Sequence, residues 1–448
     1  MLSSFRKLKI GFVNLTLEHL EKEDKEEATK YVDYTKKYLE SELNVDLIDY
    51  KEAIFRLEQA TKAWKYLQAN DIDAVIVFNG TFNTADLTVE IARNLEIPYL
   101  LWGLEEFGIP RRNFVGSMVA VMAQGAVLKN LDKRFSFVYG NIKNKGTQNR
   151  VKVFIGAIRA IAYLKEAIIG IIGMRPDGFE VAGYDELAIK KLFGTTIKNI
   201  SFPCLIRDIK NVSEKDVEAD MEIQKDIFNI KDSDFDEAKG LSRVYLAMKK
   251  AIKENNLQSY AVDCWPELRD INMTPVCPAN GRCNAEGVMA ACEADVDGSL
   301  TMMVQYAITG RTPWFADFVN LIEEYDSILF WHCGNAPYNL SKSKPVIEPV
   351  VKGLSQTAAL KDGTVTICRL NSIRGEFTLH AAVGEAVRSK PLMRGSNMLV
   401  KMRCGNMKFI NSLLDNGIPQ HNGIVYGDIL VELEEFARLL NIPVVVKR

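Results

Sequence analysis

Asp73-Ala74-Val75-Ile76-Val77-Phe78-Asn79-Gly80 is the stretch that decides the fold. Its run of consecutive apolar residues leaves no polar face, so a strand here is buried on both sides, and Asn79-Gly80 supplies the turn chemistry that ends it. Upstream, Lys9–Leu15 and Val45–Tyr50 read as strands, separated by helical spacing at Lys22–Leu43 and followed by more at Ile54–Gln68. Downstream come a helix at Ala85–Leu95, a strand at Tyr99–Trp102, a helix at Val115–Leu131 and a strand at Phe135–Tyr139. Near-continuously apolar strands, each followed by a helix, predict a parallel sheet covered on both faces, in the flavodoxin-like manner. Gly11 stands alone after the first strand, with no G-x-G-x-x-G, so no dinucleotide site is expected.

The polar stretch Asn141–Asn149 reads as a linker, and the alternation then resumes. A helix at Val151–Lys165 precedes the strand Ala167–Ile172, and Gly173, Pro176 and Gly178 make a loop at that strand's C-terminal end, where open α/β sheets bind ligands. The charged Ser213–Lys239 reads as a solvated helical surface. After the strand Ser259–Asp263, the Pro/Gly/Asn-rich Thr274–Gly287 has the profile of a binding loop. Beyond residue 310 the pattern changes: Val365–Leu370, Glu376–Val383 and Met398–Arg403 are strands with short turns, followed by a helix at Tyr426–Leu440 and a strand at Pro443–Val446. The expected architecture is α/β: two flavodoxin-like parallel-sheet domains, 1–145 and 146–310, followed by a β-rich, antiparallel barrel-like domain, 311–448. Three domains also suit 448 residues at roughly 100–200 residues per domain.

Composition narrows the function classes. Net charge is −2, so no large positive field points to nucleic acid or to an anionic membrane. The longest apolar stretches, such as Ala167–Gly173 and Ile328–Trp331, are far too short to span a bilayer. The opening Met1-Leu2-Ser3-Ser4-Phe5-Arg6-Lys7 has no long apolar core, so no secretory signal is expected. Eight cysteines in a long chain read as buried free thiols of a reducing cytoplasm. Cys264, Cys277, Cys283 and Cys292 cluster in sequence, but their spacings contain no C-x₂₋₄-C knuckle of a zinc site.

The chemistry concentrates in the second half. Glu293 sits in Ala291-Cys292-Glu293-Ala294-Asp295-Val296-Asp297-Gly298, between a buried segment and a helix expected at Leu300–Thr309. Asp295 or Asp297 is expected to cap that helix, leaving Glu293 as a ligand. Asp317 stands among aromatic and aliphatic residues in Pro313-Trp314-Phe315-Ala316-Asp317-Phe318-Val319, where a carboxylate is desolvated and its pKa raised unless a cation compensates; an Asp that caps a local turn is the alternative. His332 follows the strand Ser327–Trp331, and His421 lies in a loop before the last helix. The other histidines read as a solvent-facing side chain (His19) and a core or sheet-face residue (His380). Two carboxylates with imidazole suit a hard-to-borderline divalent ion, with Mn²⁺ the first choice and other divalent ions as alternatives. Such an ion, with open positions, can grip a polyol and polarise its carbonyl.

The stretch Cys292-Glu293-Ala294-Asp295-Val296-Asp297-Gly298-Ser299-Leu300-Thr301-Met302, the 24 positions from Glu293 to Asp317 (317 minus 293) and the late His421-Asn422-Gly423 resemble the L-fucose isomerase / L-arabinose isomerase superfamily over most of the chain. The resemblance implies that Glu293, Asp317 and His421 hold Mn²⁺. His332 matches a histidine ligand of the arabinose branch, whereas Asp at 317 looks like the fucose branch. It implies an aldose–ketose isomerase in which the chelated substrate passes through an enediolate and Glu293 and Asp317 act as base and acid. The expected substrate is a pentose, deoxyhexose or modified aldose. Arg175 in Arg175-Pro176-Asp177-Gly178-Phe179 could orient sugar hydroxyls, or lie in a surface turn. Asn422 could bond the sugar or support the ligands, and Trp102 could offer a stacking face, in trans if a neighbouring subunit closes the site, or simply pack in its own domain. The resemblance further implies a cytoplasmic homo-oligomer, trimer or hexamer. The competing class is a non-catalytic sugar-binding or sensory protein with hinged α/β lobes. A metal-dependent hydrolase or lyase is the third.

Overall fold

The computed structural model describes residues 5–19, 22–106, 116–268, 274–350, 353–387 and 390–447. The chain divides into two compact units. One is Leu2–Ala162 with Glu435–Asn441, and the other is Tyr163–Glu434 with Ile442–Arg448.

The first unit holds a parallel sheet of order β2-β1-β3-β4-β5, the flavodoxin order. Its strands are β1 (Leu8–Leu15), β2 (Val45–Asp49), β3 (Ala74–Asn79), β4 (Tyr99–Gly103) and β5 (Phe135–Tyr139). Its helices are α1 (Lys22–Glu42), α2 (Leu57–Ala69), α3 (Ala85–Ala92), α4 (Ser117–Asn130) and most of α5 (Lys145–Glu166). Val115, where sequence reading starts the fourth helix, lies outside the described residues. Every residue of β3 is buried, as its unbroken apolar run requires. Asn79 ends that strand by tying itself to the helix layer: its Nδ2 donates to Gln124 Oε1 (3.1 Å), and Gln124 Nε2 donates back to Asn79 Oδ1 (2.7 Å). The expected linker 141–149 is helical from Lys145, and the division between units falls inside α5. A polar surface stretch can open a helix as readily as separate two domains.

The second unit starts with a four-stranded parallel sheet of order β7-β6-β8-β9. It is built from β6 (Ile168–Ile172), β7 (Thr196–Ile200), β8 (Ser259–Val262) and β9 (Met289–Cys292), with α6 (Glu186–Phe193), α7 (Phe202–Lys210), α8 (Glu214–Ile227), α9 (Phe235–Asn255) and α10 (Cys277–Ala285). Two expectations are corrected here. Thr274–Gly287 is not an open loop: it contains α10, and Cys277–Asn284 is buried throughout. Pro278 sits where a helix start needs no N–H, and Gly281 lets the helix backbone lie against the Ala336 carbonyl, where any Cβ would collide. The charged 213–239 segment is also not solvated all round, since Val217, Met221, Ala238 and Leu241 form a core cluster. Asp220 is buried beneath it in a bidentate pair with Arg282 (2.7 and 2.8 Å).

Helix α11 (Val296–Thr309) leads into the β-rich part. Here β10 (Trp314–Ile322), β11 (Ser327–His332), β14 (Gly363–Ile373), β15 (Glu376–Val387), β16 (Ser396–Met402) and β17 (His421–Tyr426) form an antiparallel sheet in the order β16-β11-β10-β17-β14-β15, and pairing of β15 with β16 closes it as a barrel. β12 (Val346–Pro349) and β13 (Leu354–Ala359) extend it from β16, and β18 (Val444–Lys447) adds to β15. Helix α12 (Asn406–Asp415) follows β16 and helix α13 (Leu430–Leu439) follows β17 along the chain. Trp314, Ala316, Ile328, Phe330, Val365, Ile367, Met398, Val400 and Ile424 belong to one core cluster of the barrel. The expected fold class is therefore present: two parallel-sheet α/β layers, then an antiparallel barrel. His421, read as a loop residue, is the first residue of β17.

Candidate functional site

Glu293, His332 and His421 are delivered by the ends of strands, and Asp317 by the body of β10. β9 is wholly buried and stops at Cys292. Glu293 (φ 58°) and Ala294 (φ 53°) then both take the left-handed conformation. That geometry costs roughly 1–2 kcal/mol per non-glycine residue. It persists because both sides are anchored: Ala294 N–H donates to Val262 O, and Asp295 caps α11 by accepting from Gly298 N–H (2.7 Å). The double left-handed turn reverses the chain abruptly and places Glu293 at the strand end. Such strain clusters at functional sites.

The barrel supplies the rest. Asp317 on β10 is the direct cross-strand partner of His421 on β17, and β11, the other neighbour of β10, ends at His332. Residues alternate across β10, so Trp314 and Ala316 enter the barrel core while Phe315 and Asp317 face the other way. Phe315 packs beside both imidazoles, 4.6 Å from His421 and 6.1 Å from His332 between ring centroids. Its ring fills the space that Gly298 leaves open, since an added Cβ would lie 2.6 Å from Phe315 Cζ.

The four side chains converge. His421 Nε2 is 3.1 Å from Glu293 Oε2 and 3.4 Å from Asp317 Oδ1. One ligand atom each from Glu293, His332 and His421 lies within 4.8 Å of the others. Glu293 Oε2, His332 Nε2 and His421 Nε2 are all buried without a hydrogen-bond partner among the described residues. Buried polar atoms are normally paired, and these orphaned atoms, facing one another beside a further carboxylate, leave a polar pocket that a divalent cation could fill. The residues present therefore fit a metal ion.

A second layer orients the first. Asp295 Oδ2 lies 2.9 Å from His421 Nδ1 and accepts its proton, so the Nε2 lone pair faces the carboxylates. Arg369, itself fully buried, grips Asp295 through two N–H donors (2.8 and 3.0 Å). Burial alone raises the Asp295 pKa, but Arg369 and His421 outweigh it and hold the carboxyl well below the usual range. Burial likewise opposes ionisation of Glu293, yet His421 and His332 bring its pKa below the ordinary value. Without a metal, His421 is pushed up to about 9: burial lowers it, while Asp295, Glu293 and Asp317 raise it more. His332 rises to about 10 against burial, through the Cys333 side chain, Asp317 and Glu293. The Cys333 N–H pointing at its Nδ1 (2.8 Å) opposes that second proton. In physical terms, the carboxylates demand positive charge, which either protons or a cation can supply.

The remaining expected residues are placed elsewhere. Asn422 points to the opposite face of β17 from His421, in register with the core residue Ala316, and its Nδ2 donates to Gln420 O. Trp102, in the other unit, is wholly buried against Phe78 with its indole N–H donating to Gly140 O, so within this chain it exposes no face to a sugar. Arg175 is exposed and lines a cavity of about 550 Å³ together with Gly173, Met174, Tyr184, Asn199 and Ala294, the residue after Glu293. His19 is exposed, and His380 is buried with Nε2 3.0 Å from Ser412 Oγ. All eight cysteines are free. Sequence reading missed Arg369, Phe315 and the orienting role of Asp295. One signal was available for the first, because an arginine inside the apolar strand Val365–Leu370 must find a buried acid.

Residues 330–447 match the family described as L-fucose isomerase, C-terminal domain, a span that includes His332 and His421. Across most of its length the chain is similar to sulfoquinovose isomerases. That of Priestia aryabhattai is 27% identical over 84% of this chain and 86% of that protein. That of Alkalicoccus urumqiensis is 26% identical over 83% and 86%. A periplasmic solute-binding protein from Actinobacillus succinogenes 130z, crystallised with D-allose, aligns over 67% of this chain and 92% of its own at 13% identity, with a TM-score of 0.18. That last likeness is too slight to argue from.

Proposed function

We propose that this chain, a fucose isomerase-like sugar isomerase, interconverts an aldose and its ketose through an enediolate, with a divalent metal ion held by Glu293, Asp317 and His421. One observation carries the reading: Glu293 Oε2, just past β9, and Asp317 Oδ1, within β10, both close on His421 Nε2 at the start of β17, at 3.1 and 3.4 Å. Mn²⁺ is the ion of choice because a carboxylate-rich site with one or two imidazoles suits it. When bound, the ion supplies Lewis-acid polarisation of the two neighbouring sugar oxygens.

The protein's own groups carry the proton transfers. Glu293 is ionised despite its burial, as a base must be. Asp317, with 22% of its side chain exposed, faces the same space from the barrel and serves as the second proton carrier. The proton lost at one carbon returns to its neighbour, so no outside acid or reductant is needed. Which carboxylate acts first follows from the face on which the sugar lies.

For the substrate, the activity for which the relatives are named makes an aldose modified with a sulfonate the first candidate, with pentoses and deoxyhexoses next. The exposed Arg175 beside the Ala294 cavity supports an anionic substituent. A cytoplasmic setting agrees with eight free thiols. A trimer or hexamer is the expected assembly, checked by light scattering.

The test is a panel of sulfo-sugars, pentoses and deoxyhexoses offered to the Mn²⁺-loaded protein, with ketose formation measured. Glu293→Gln and Asp317→Asn should each lose about 10²-fold or more in kcat while remaining folded. Full activity in either variant breaks the assignment. Tight sugar binding without turnover by the wild type would favour a binding protein instead.

A further inference from the structure

The two imidazoles of the centre are held in opposite tautomers, and we infer that His421 ligates the metal while His332 donates its Nε2–H to an oxygen of the bound sugar. This assignment rests on the metal-dependent isomerase reading above. Cys333 N–H donates to His332 Nδ1 at 2.8 Å. A backbone amide can only donate, so Nδ1 keeps its lone pair and the neutral ring carries its proton on Nε2. A metal ligand must offer a lone pair there instead. At His421 the neighbour is of the opposite kind: the Asp295 carboxylate accepts from Nδ1, which frees the Nε2 lone pair.

The Cys333 amide is fixed where it is. Ser355 Oγ–H donates to the Cys333 carbonyl (2.7 Å). Gly334 follows at φ 111°, packed so closely that an added Cβ would lie 2.7 Å from Gln356 O. The His332 ring is confined by the parallel Trp331 indole (10° between planes, centroids 6.4 Å apart) and by Phe315. Turning the ring over would set a carbon against the Cys333 amide and forfeit that bond.

The consequence is an N–H aimed into the site. His332 Nε2 is buried, has no partner among the described residues, and stands in the same group as Glu293 and His421. Neighbouring rings only 6.0 Å apart thus present a lone pair and a proton to one small volume. In an aldose–ketose conversion a sugar oxygen gains negative charge as the neighbouring C–H is removed. A donor fixed beside that oxygen stabilises the charge, and losing one such donor costs about 10²–10³ in kcat.

The wild-type holoprotein offers the most direct test. Protein labelled with ¹⁵N-histidine is loaded with Mn²⁺ and its coordinated imidazoles are counted by pulsed electron paramagnetic resonance. One coupled imidazole is expected, and two overturn the proposal. In parallel, His332→Phe should keep the Mn²⁺ dissociation constant within about threefold and lose about 10²-fold in kcat, while His332→Gln, whose amide N–H replaces Nε2–H, should regain at least about tenfold. A tenfold loss of Mn²⁺ affinity in His332→Phe, or undiminished turnover, overturns it. If the wild type turns over no aldose, the isomerase reading falls and the substrate half of this proposal falls with it, while the imidazole count still decides the ligand half.

Discussion

His421 is the residue on which most of the chemistry turns, because three acids surround it. Its folded pKa of about 9 lies above the unfolded value of about 6.5. The imidazolium therefore stabilises the metal-free protein fully below about pH 6.5, and that contribution is lost as pH rises through about 9. Ligation needs the neutral ring, so the metal behaves in the opposite sense. Mn²⁺ affinity should rise about tenfold per pH unit between pH 7 and 8.5, with proton release visible in weakly buffered solution. A dissociation constant that does not move over that range would contradict the assigned ligand. Asp295→Asn makes a separate prediction. Replacing the carboxylate at His421 Nδ1 with a neutral amide should weaken Mn²⁺ binding about 10- to 100-fold. The same change takes from the buried Arg369 the carboxylate it grips, so denaturant titration should show a loss of about 3–5 kcal/mol.

At the scale of elements, glycines decide how closely the pieces approach. Gly298, in the first turn of α11, and Gly281, in α10, both sit where a Cβ has no room. Either alanine substitution should cost about 1–3 kcal/mol by overpacking. The two differ in what they push against. At Gly298 the obstacle is the Phe315 ring, 4.6 Å from His421 between centroids, so Gly298→Ala should also weaken Mn²⁺ binding. At Gly281 the obstacle is the Ala336 carbonyl, so Gly281→Ala should lower stability with Mn²⁺ affinity retained. Calorimetric titration of both variants separates the two effects, and equal affinities would show that Phe315 does not set the ligand geometry.

Within the second unit as a whole, a bound ion joins two layers of structure. Glu293 comes from the end of the parallel sheet, whereas Asp317 and His421 come from the barrel. An ion that binds only the folded unit stabilises it by about 2.7 kcal/mol at a concentration 100 times its dissociation constant. Saturating Mn²⁺ should therefore raise the melting temperature, EDTA should reverse the shift, and Glu293→Gln should abolish it. A shift that survives Glu293→Gln would place the ion elsewhere. Among the described residues no helix is long and apolar enough to cross a bilayer.

Much of this was legible in one dimension, because the deciding patterns are local. A short apolar run such as Ala74–Phe78, closed by Asn79-Gly80 and too short for a buried helix, reads as a strand covered on both faces, and the strand–helix alternation around it points to a parallel sheet. The same locality made Glu293, Asp317, His332 and His421 conspicuous, as polar groups where burial is otherwise unbroken. Signals that depend on a distant partner were misread or missed. Pro278 and Gly281 looked like loop residues because the Ala336 carbonyl that makes a glycine necessary lies far along the chain. His421 looked like a loop residue because its strand exists only through pairing with β10 and β14. The tautomers of the two histidines depend on Asp295 and on the fold of the Cys333 backbone. A proton's position on a ring is set by whichever group lies within about 3 Å, and only the folded chain brings that group there.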